Sequence, residues 1–305
     1  MDIALVTSSA FPGADWSDRD TPLLRSCLAA EGCTTRVLSW DDAPGVDWTA
    51  FDVVAVQSPW SMWLKLAEFK SWLESLHRQG VPLANPYPVI ANGLSKEYLP
   101  LVEQCGARTI PTTVVAPGDP LGAVAADALT RAEREFGAAA VVVKPVSSGG
   151  TLGAARVTTE RDLVARLADF GQHGVTACVQ PYIGTIDALG EYGIIMIDGQ
   201  YSHAITKDAI LAPGRAGTQF HPNARAGYAA RDDDSTEIAN AYRAYLKTVP
   251  VEPTSVRLDF LRHPVSGKLL LLEIESVAPV KFFHLRPDAA YRYARSLIAA
   301  ASVNR

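Results

Sequence analysis

Residues 138–157 have the sequence AAAVVVKPVSSGGTLGAARV, in which two apolar runs flank a loop of serine, threonine and glycine. This order predicts a strand, a glycine loop and a second strand. The first run ends at Lys144, so backbone amides and hydroxyls can surround an anion beside a fixed ammonium, as suits a polyphosphate. When the loop is considered alone, an ordinary hairpin turn without a ligand is the alternative to an anion-binding loop. The candidate anion-binding residues are Lys144, Ser147, Ser148, Gly149, Gly150 and Thr151.

Three carboxylates occur in two apolar runs near the C-terminus. Asp259 lies within RLDFL, and Glu273 and Glu275 lie within LLLLEIES. Alternation along a strand puts Glu273 and Glu275 on one face, and a neighbouring strand can bring Asp259 beside them. Solvated charge on an exposed strand face is one interpretation. Because four leucines indicate a buried strand, where an unpaired carboxylate is costly, we favour Mg²⁺ bound by oxygen ligands.

Arg257 stands two residues before Asp259, which places both side chains on one face of the predicted strand. From there the guanidinium could meet a transferring phosphoryl group or an anionic intermediate. A structural ion pair with one of the acids explains this arginine equally well, and both interpretations stay open.

The first 92 residues alternate between strand and helix patterns. The apolar runs IALVT, TRVLSW and FDVVAVQS predict strands, and a helix pattern precedes the second of them. Because this order favours a parallel sheet, we expect an open α/β domain over residues 1–92. Ligands bind such sheets at the carboxyl ends of the strands, where this chain has Gln57 and Ser58.

The later part of the chain changes to strands joined by tight turns, such as the one at Asp198 and Gly199. This pattern favours an antiparallel α+β arrangement. Residues 212–227 are polar, contain several glycines and lack periodicity, so we expect a long mobile loop there.

The composition excludes several classes of protein. Of 305 residues, 48% are hydrophobic and 20% are charged, which excludes a disordered chain. The net charge is -5 and the basic residues are scattered, so we expect no nucleic-acid partner. No window approaches the about 20 apolar residues of a membrane span, and the N-terminus lacks a signal-peptide pattern, so we expect a cytoplasmic protein. The cysteines form no C-x-x-C pair, which argues against a zinc cluster or a redox dithiol.

Taken together, the motifs resemble those of one superfamily. Lys96 before a strand, KPVSSGGTLG, VQPYIG, GEYGIIMIDG, Lys207 in HAITKD, RLDFL and LEIE have the order and separation of the ATP-grasp ligases, over residues 85–283. The resemblance implies an N-terminal α/β domain, a central lid subdomain at residues 93–184 and an antiparallel-rich C-terminal subdomain at 185–305. It also implies that ATP activates a carboxylate as an acyl phosphate, which an amine or another nitrogen nucleophile then attacks.

The resemblance also implies roles for single residues. Lys96 and Lys144 would bind the nucleotide, and residues 147–153 would form a mobile phosphate lid. Arg257 and Lys207 are the catalytic candidates, and Lys207 would also contact phosphate. The implied adenine and ribose contacts are Gln180, Tyr182, Ile183 and Glu191. The implied Mg²⁺ ligands are Asp259, Glu273 and Glu275, the last of which is asparagine in many members.

Within this superfamily the chain is similar to the cycloserine-type cyclo-ligases, which close the ring of O-ureidoserine. The shared segments include DTPLL, NPYPVIANGLSKEYL and PVKFF. Gln57 stands where that group tends to have arginine, and Lys281 adds a cation that the group lacks. We expect these two changes on opposite walls of the acceptor pocket, which would move the bound anion and make O-ureido-D-serine a poor substrate. The substrate candidates are Gln57, Ser58, Trp60 and Lys281, with packing as the alternative for Trp60 and for Trp63.

Three functions remain open at this point. The first is an ATP- and Mg²⁺-dependent ligase that forms a C–N bond on a small amino-acid-like substrate, with a linear or a cyclic product. The second is a strict O-ureido-D-serine cyclo-ligase. The third is a non-catalytic, nucleotide-binding regulatory protein, against which the retained carboxylates argue. We also consider a homodimer, and we expect no membrane partner.

Overall fold

A computed structural model describes residues 1–11, 17–211 and 224–303, and the strands of this part of the chain form three sheets. Most of the loop predicted at residues 212–227 lies outside the described residues. None of the helices in these ranges combines the length and the hydrophobicity that a membrane span needs.

The N-terminal sheet is parallel, as the alternation of strand and helix patterns predicts. Its elements are β1 (Asp2–Thr7), α1 (Asp20–Ala30), β2 (Thr34–Ser39), β3 (Val53–Ser58), α2 (Leu66–Arg78) and β4 (Leu83–Ala84), with the strand order β2-β1-β3-β4. The middle residues of β1 and β3 are apolar because helices cover both faces of the sheet. Val56 packs with Phe69 of α2 on one face, and Leu5 packs with Leu24 of α1 on the other. A 3-10 turn, Trp60–Trp63, follows β3.

The central sheet is antiparallel, and two helices cover one of its faces. Its elements are β5 (Thr113–Val115), α5 (Leu121–Phe136), β6 (Val141–Pro145), β7 (Ala155–Val157), α6 (Glu160–Gln172) and β8 (Ala177–Pro181), with the strand order β5-β8-β6-β7. Three elements precede them in the chain and pack with the core of the C-terminal sheet: α3 (Tyr87–Gly93), a 3-10 turn (Lys96–Tyr98) and α4 (Leu99–Gln104). On β6, Val141 and Val143 pack against α5 and α6. Alternation therefore turns Val142 and Lys144 to the other face, where both line a cavity.

The C-terminal sheet is antiparallel and has five strands among the described residues. Its elements are α7 (Ile186–Leu189), β9 (Glu191–Ile197), β10 (Gln200–Lys207), β11 (Arg225–Ala226), α8 (Asp234–Thr248), β12 (Ser255–Arg262), β13 (Leu269–Glu275) and α9 (Pro287–Val303), with the strand order β11-β10-β9-β12-β13. On one face Leu258 packs with Tyr245 of α8. On the other face Ile195, which pairs with Arg257, packs among residues of α9 and the N-terminal sheet. Arg257 and Asp259 share this second face, which leads to the cavity.

The hairpin between β9 and β10 turns at Asp198 and Gly199, as their sequence predicts. Both residues have positive φ, 46° and 70°. A two-residue hairpin turn with positive φ at both positions favours the Asp-Gly pair, because aspartate tolerates this conformation and glycine adopts it without strain.

Candidate active site

A cavity opens between the uncovered face of the central sheet, the C-terminal sheet and the 3-10 turn that follows β3. The sequence-predicted residues in its lining are Trp60, Lys96, Lys144, Ser148, Gly149, Gly150, Thr151, Gln180, Tyr182, Ile183, Glu191, Arg257, Glu273 and Glu275. The other sequence-predicted residues lie outside the lining that the described residues form. These are Gln57, Ser58, Ser147, Lys207, Asp259 and Lys281.

The three predicted metal ligands lie together at the floor of the site. In the register of β12 and β13, Asp259 is opposite Glu273 and Arg257 is opposite Glu275. One carboxylate oxygen from each of the three acids lies within 4.8 Å of the others. Such a set of oxygen ligands fits a hard divalent cation such as Mg²⁺.

Gly193 makes room for this cluster. It pairs with Asp259 across β9 and β12, and a Cβ atom there would lie 3.1 Å from Asp259 Oδ1 and 3.0 Å from Arg257 Cδ. A side chain at position 193 would therefore collide with the Asp259 carboxylate and with the Arg257 side chain.

Asp259 is enclosed by cations. Arg257 donates to it twice, from Nε to Oδ1 at 2.7 Å and from Nη2 to Oδ2 at 2.8 Å, and Lys207 Nζ donates to Oδ2 at 3.0 Å. Burial opposes ionisation, but the charges of Arg257 and Lys207 outweigh it and hold the pKa of Asp259 well below its usual range. Lys207 also forms an ion pair with Glu191, whose pKa burial raises to about 7 despite the opposing charge of the lysine.

Glu273 faces the two predicted nucleotide lysines. Lys144 Nζ donates to Glu273 Oε2 at 3.2 Å, and Lys96 Nζ lies 3.8 Å from the same oxygen. Burial opposes ionisation here as well, yet the two ammonium charges lower the pKa of Glu273 to about 2. The cavity therefore carries a fixed anion next to two fixed cations, an arrangement that can hold phosphates and a metal ion side by side.

Lys96 also holds the start of the glycine loop. Its Nζ donates to the carbonyl of Ser148 at 2.5 Å, and its backbone N–H donates to the carbonyl of Val146 at 2.8 Å. Further along the loop, Gly150 and Gly153 have φ values of 57° and 74°, which glycine adopts without strain. The loop thus reaches the cavity with its backbone fixed beside a lysine.

Gln180 on β8 lines the cavity and has one polar atom without a partner. Its Nε2 donates to Thr112 Oγ1 at 2.8 Å and to the carbonyl of Leu272 at 3.4 Å. Because a carbonyl can only accept, the amide must face Leu272 with its nitrogen. The amide oxygen is then left buried, with no hydrogen-bond donor among the described residues. A base with an exocyclic amine, such as adenine, would supply this donor, so the predicted adenine strand fits the nucleotide. Next to it, the Arg156 guanidinium stacks 3.7 Å from the centre of the Tyr182 ring.

The two residues that depart from the cyclo-ligase pattern lie against each other. Lys281 Nζ donates to Gln57 Oε1 and to the carbonyl of Pro279, both at 3.2 Å, and lies 4.6 Å from the centre of the Tyr293 ring. The prediction that they lie on opposite walls is therefore wrong, because the long Lys281 side chain crosses to the end of Gln57. The ammonium is buried at the end of β3, and nearby Ser58 donates to Asp18 Oδ2 at 2.5 Å.

Met62 and Tyr98 have no role in the sequence analysis, and Trp63 is weighed there with packing as the alternative. Met62 and Trp63 line the cavity from the N-terminal turn, and Tyr98 bonds to the backbone of β13 between the two glutamates. The place of Trp63 just after a sheet strand was the one signal that pointed toward the site.

Comparisons with known proteins agree with this geometry. The family model described as the N-terminal domain of D-cycloserine synthetase DcsG matches residues 3–85. The cycloserine biosynthesis protein DcsG of Streptomyces lavendulae is 34% identical over 308 residues, covering 97% of each chain. The crystal structure of D-cycloserine synthetase DcsG matches with a TM-score of 0.86 at 29% identity, covering 99% of this chain and 100% of that one. The fold is also that of the D-alanine–D-alanine ligase from Bacillus anthracis complexed with ATP, with a TM-score of 0.67, 12% identity and coverage of 99% and 97%.

A relative of this identity over nearly the whole length of both chains establishes kinship, and it confirms the resemblance drawn from the motifs. The α/β sheet followed by two antiparallel-rich sheets is the ATP-grasp fold. The chain belongs to the family of ATP-grasp ligases that includes the cycloserine biosynthesis protein of Streptomyces lavendulae, and it is an ATP-dependent ligase.

Proposed function

We propose that the chain joins the carboxylate of a small amino-acid-like acid to a nitrogen nucleophile. A carboxylate oxygen attacks the γ-phosphorus of ATP, the bond to the β-phosphate oxygen breaks, and ADP leaves. The nitrogen then attacks the acyl carbon, phosphate leaves with the bonding electrons, and the nitrogen loses a proton. The observation that carries this proposal is a cluster of three carboxylates, two of which line the cavity, next to Lys96 and Lys144.

The nucleotide would lie between the central and the C-terminal sheets. Gln180 would accept from the base, and Tyr182 and Ile183 would line the same pocket. The ammonium groups of Lys96 and Lys144, with the amides and hydroxyls of residues 147–151, would hold the phosphates. Glu191 would accept hydrogen bonds from the ribose.

Asp259, Glu273 and Glu275 would hold Mg²⁺, which neutralises the phosphate charge when it is bound. Arg257 contacts Asp259 and also lines the cavity, so it can meet the oxygens of the phosphoryl group in transfer. Lys207 is enclosed, with an exposed fraction of 1%. We therefore assign it a role through Glu191 and Asp259, whose charge and position it fixes.

Arg257 lies beside the acids Asp259 and Glu275, and apolar residues form another part of the wall near it. The Phe282 ring centre lies 5.9 Å from its guanidinium carbon, and Arg257 Nη1 donates to the carbonyl of Val280 at 3.2 Å. Met62 and Ala278 line the same cavity. This wall supports an acid whose carboxylate lies near the arginine and whose carbon skeleton packs on apolar side chains.

Cyclisation of O-ureido-D-serine is the second candidate. It is supported by the full-length relative that is named for cycloserine biosynthesis. The position of Lys281 supports it too, because the ammonium lies at the side-chain end of Gln57, where the cyclo-ligases tend to have their arginine. The cation has therefore moved only from residue 57 to a neighbouring side chain, although neither residue is in the cavity lining that the described residues form.

The experiment is to incubate the purified chain with ATP, Mg²⁺ and single amino acids or amino-acid pairs, with O-ureido-D-serine in a separate reaction. ADP release is measured, and mass spectrometry identifies the product. Release of ADP that depends on an amino acid, with a product that has lost one water, supports ligation. Nucleotide binding with no ADP release in any reaction would count against these amino acids as substrates.

We further propose a cytoplasmic setting and a small-molecule partner. Cys27, Cys33, Cys105 and Cys178 are free thiols, as in a reducing compartment, and the net charge of -5 does not favour nucleic acid. A homodimer remains a prediction, which sedimentation of the purified chain tests.

A further inference from the structure

The indole of Trp63 lies directly under the backbone of the glycine loop. Trp63 ends the 3-10 turn after β3, so it belongs to the N-terminal sheet, yet it lines the cavity together with Gly149. A Cβ atom built on Gly149 would lie 2.8 Å from Trp63 Cε2 and 3.1 Å from its Cδ1, and it would overlap Nε1. No side chain fits between this peptide and the ring.

Lys96 completes the support of the loop. Its ammonium lies 5.9 Å from the centre of the Trp63 ring and donates to the carbonyl of Ser148, the residue before Gly149. Trp63 and Lys96 therefore hold two consecutive residues of the loop, one by packing and the other by a hydrogen bond.

The glycines of the loop are required for different reasons. Gly150 has a φ of 57°, which residues with a side chain rarely adopt. Glycine is therefore needed at position 150 because of the backbone conformation. Gly149 is not among the residues with positive φ, so its backbone does not require glycine for that reason. The obstacle to a side chain at Gly149 is the Trp63 ring.

We propose that Trp63 is a positioning residue that holds the glycine loop, residues 147–153, in the geometry that binds phosphates. The inference rests on the proposed function, because it takes the loop as the phosphate-binding element. It adds that the N-terminal sheet, whose strand β3 also carries Gln57 and Ser58, sets the position of that loop. The phosphate side and the acceptor side of the site are then joined through one aromatic ring.

The test is a double-mutant cycle of Gly149→Ala and Trp63→Ala, read by calorimetric titration with the non-hydrolysable analogue AMP-PNP and Mg²⁺. We expect Gly149→Ala to weaken binding on the order of tenfold because its methyl displaces the loop, and Trp63→Ala to weaken it several-fold. In the double variant the methyl meets no ring, so affinity returns to that of Trp63→Ala alone. Independent, multiplying effects would overturn the proposal, and so would wild-type affinity in Gly149→Ala.

Gly150→Ala is the matched control. Its defect arises from the positive φ of its own backbone, so Trp63→Ala does not rescue it. Rescue of both alanine variants would mean that Trp63→Ala merely loosens the loop, which contradicts a specific contact. Trp63→Phe, a smaller change, keeps apolar bulk in case the alanine variant fails to fold, and it should rescue Gly149→Ala in part.

Hydrogen exchange separates this inference from the proposed function. Without nucleotide, Trp63→Ala should speed amide exchange in the peptide spanning residues 146–156 and leave the β9 and β12 peptides unchanged. Faster exchange there supports the positioning role even if AMP-PNP does not bind the wild type, a result that would count against the proposed function alone. Unchanged exchange in residues 146–156 would refute the positioning role.

Discussion

The Tyr98 hydroxyl bonds to both backbone groups of Ile274, accepting from its N–H at 2.6 Å and donating to its carbonyl at 2.9 Å. Ile274 lies on β13, the edge strand of the C-terminal sheet, between Glu273 and Glu275. Residues 108–110 pair with Leu271 on this edge, and further along it Tyr98 satisfies the N–H and the carbonyl of Ile274 that a next strand would otherwise pair with. Burial raises the pKa of Tyr98 well above its usual value, so the hydroxyl remains a donor.

Replacing Tyr98 by phenylalanine should disturb the direction of both glutamates. The change leaves a buried N–H and a buried carbonyl unpaired, which costs about 1–3 kcal/mol in the free energy of unfolding. We also expect the Mg²⁺ concentration for half-maximal ADP release to rise several-fold. Urea denaturation and a Mg²⁺ titration measure the two effects. Tyr242→Phe is the control, because that hydroxyl bonds to Glu252, outside the cavity lining. Lower stability with unchanged Mg²⁺ dependence would show that Tyr98 only supports the fold.

Lys144→Ala should weaken the binding of AMP-PNP and of inorganic tripolyphosphate alike. The variant loses a fixed cation beside the phosphates and leaves Glu273 with Lys96 as its cationic neighbour. We expect a loss on the order of 10- to 100-fold, as for a charge-assisted hydrogen bond of about 1.5–3 kcal/mol. Calorimetry measures it, with the exposed Lys70→Ala on α2 as the control. Unchanged affinity for both ligands would remove Lys144 from the site.

Gln180→Leu tests the contact with the base separately from the contacts with the phosphates. The variant keeps the bulk of the side chain but removes the acceptor that lacks a donor. Affinity for AMP-PNP should fall on the order of tenfold, while affinity for tripolyphosphate stays the same. The same titrations as for Lys144→Ala measure both. A fall in tripolyphosphate affinity would indicate that the change disturbs the whole cavity and does not report on the base.

Glu275→Gln tests the metal site with little change in shape. Its side chain keeps an exposed fraction of 25%, and burial raises its pKa, so loss of the charge should not lower the free energy of unfolding. Turnover should fall by at least about tenfold and need more Mg²⁺, because the amide is a weaker ligand than the carboxylate. Wild-type rates at every Mg²⁺ concentration would mean that the acid is structural.

The sequence predicts well those features that depend on local periodicity. The apolar run before Lys144, the glycine loop and the alternation of Glu273 and Glu275 all follow from neighbouring residues. The Asp-Gly turn between β9 and β10 follows from the conformations that its two residues tolerate. The antiparallel pairing that brings Asp259 opposite Glu273 needs one further step, the register of two strands.

Contacts between distant parts of the chain could not be predicted from periodicity. Trp63 packs against the N-terminal core and also under the glycine loop, and the second contact depends on how the N-terminal sheet sits against the central sheet. The same holds for Lys281, whose ammonium reaches Gln57 because the segment after β13 returns to the N-terminal sheet, where Asp20 accepts from the backbone of Lys281 at 2.6 Å. Long side chains carry their charge far from the backbone position that a pattern locates.

The most direct test of the account is to trap the activated acid. The wild-type chain is incubated with ATP, Mg²⁺, hydroxylamine and a panel of amino acids that includes O-ureido-D-serine, and hydroxamate and ADP are both measured. Hydroxylamine replaces the natural nucleophile, so only the acid has to be present. We expect at least one acid to give hydroxamate and ADP in equal amounts, and we expect Lys144→Ala and Glu275→Gln to lower the rates of both together. ADP formation without hydroxamate from any acid would contradict activation of a carboxylate at this site.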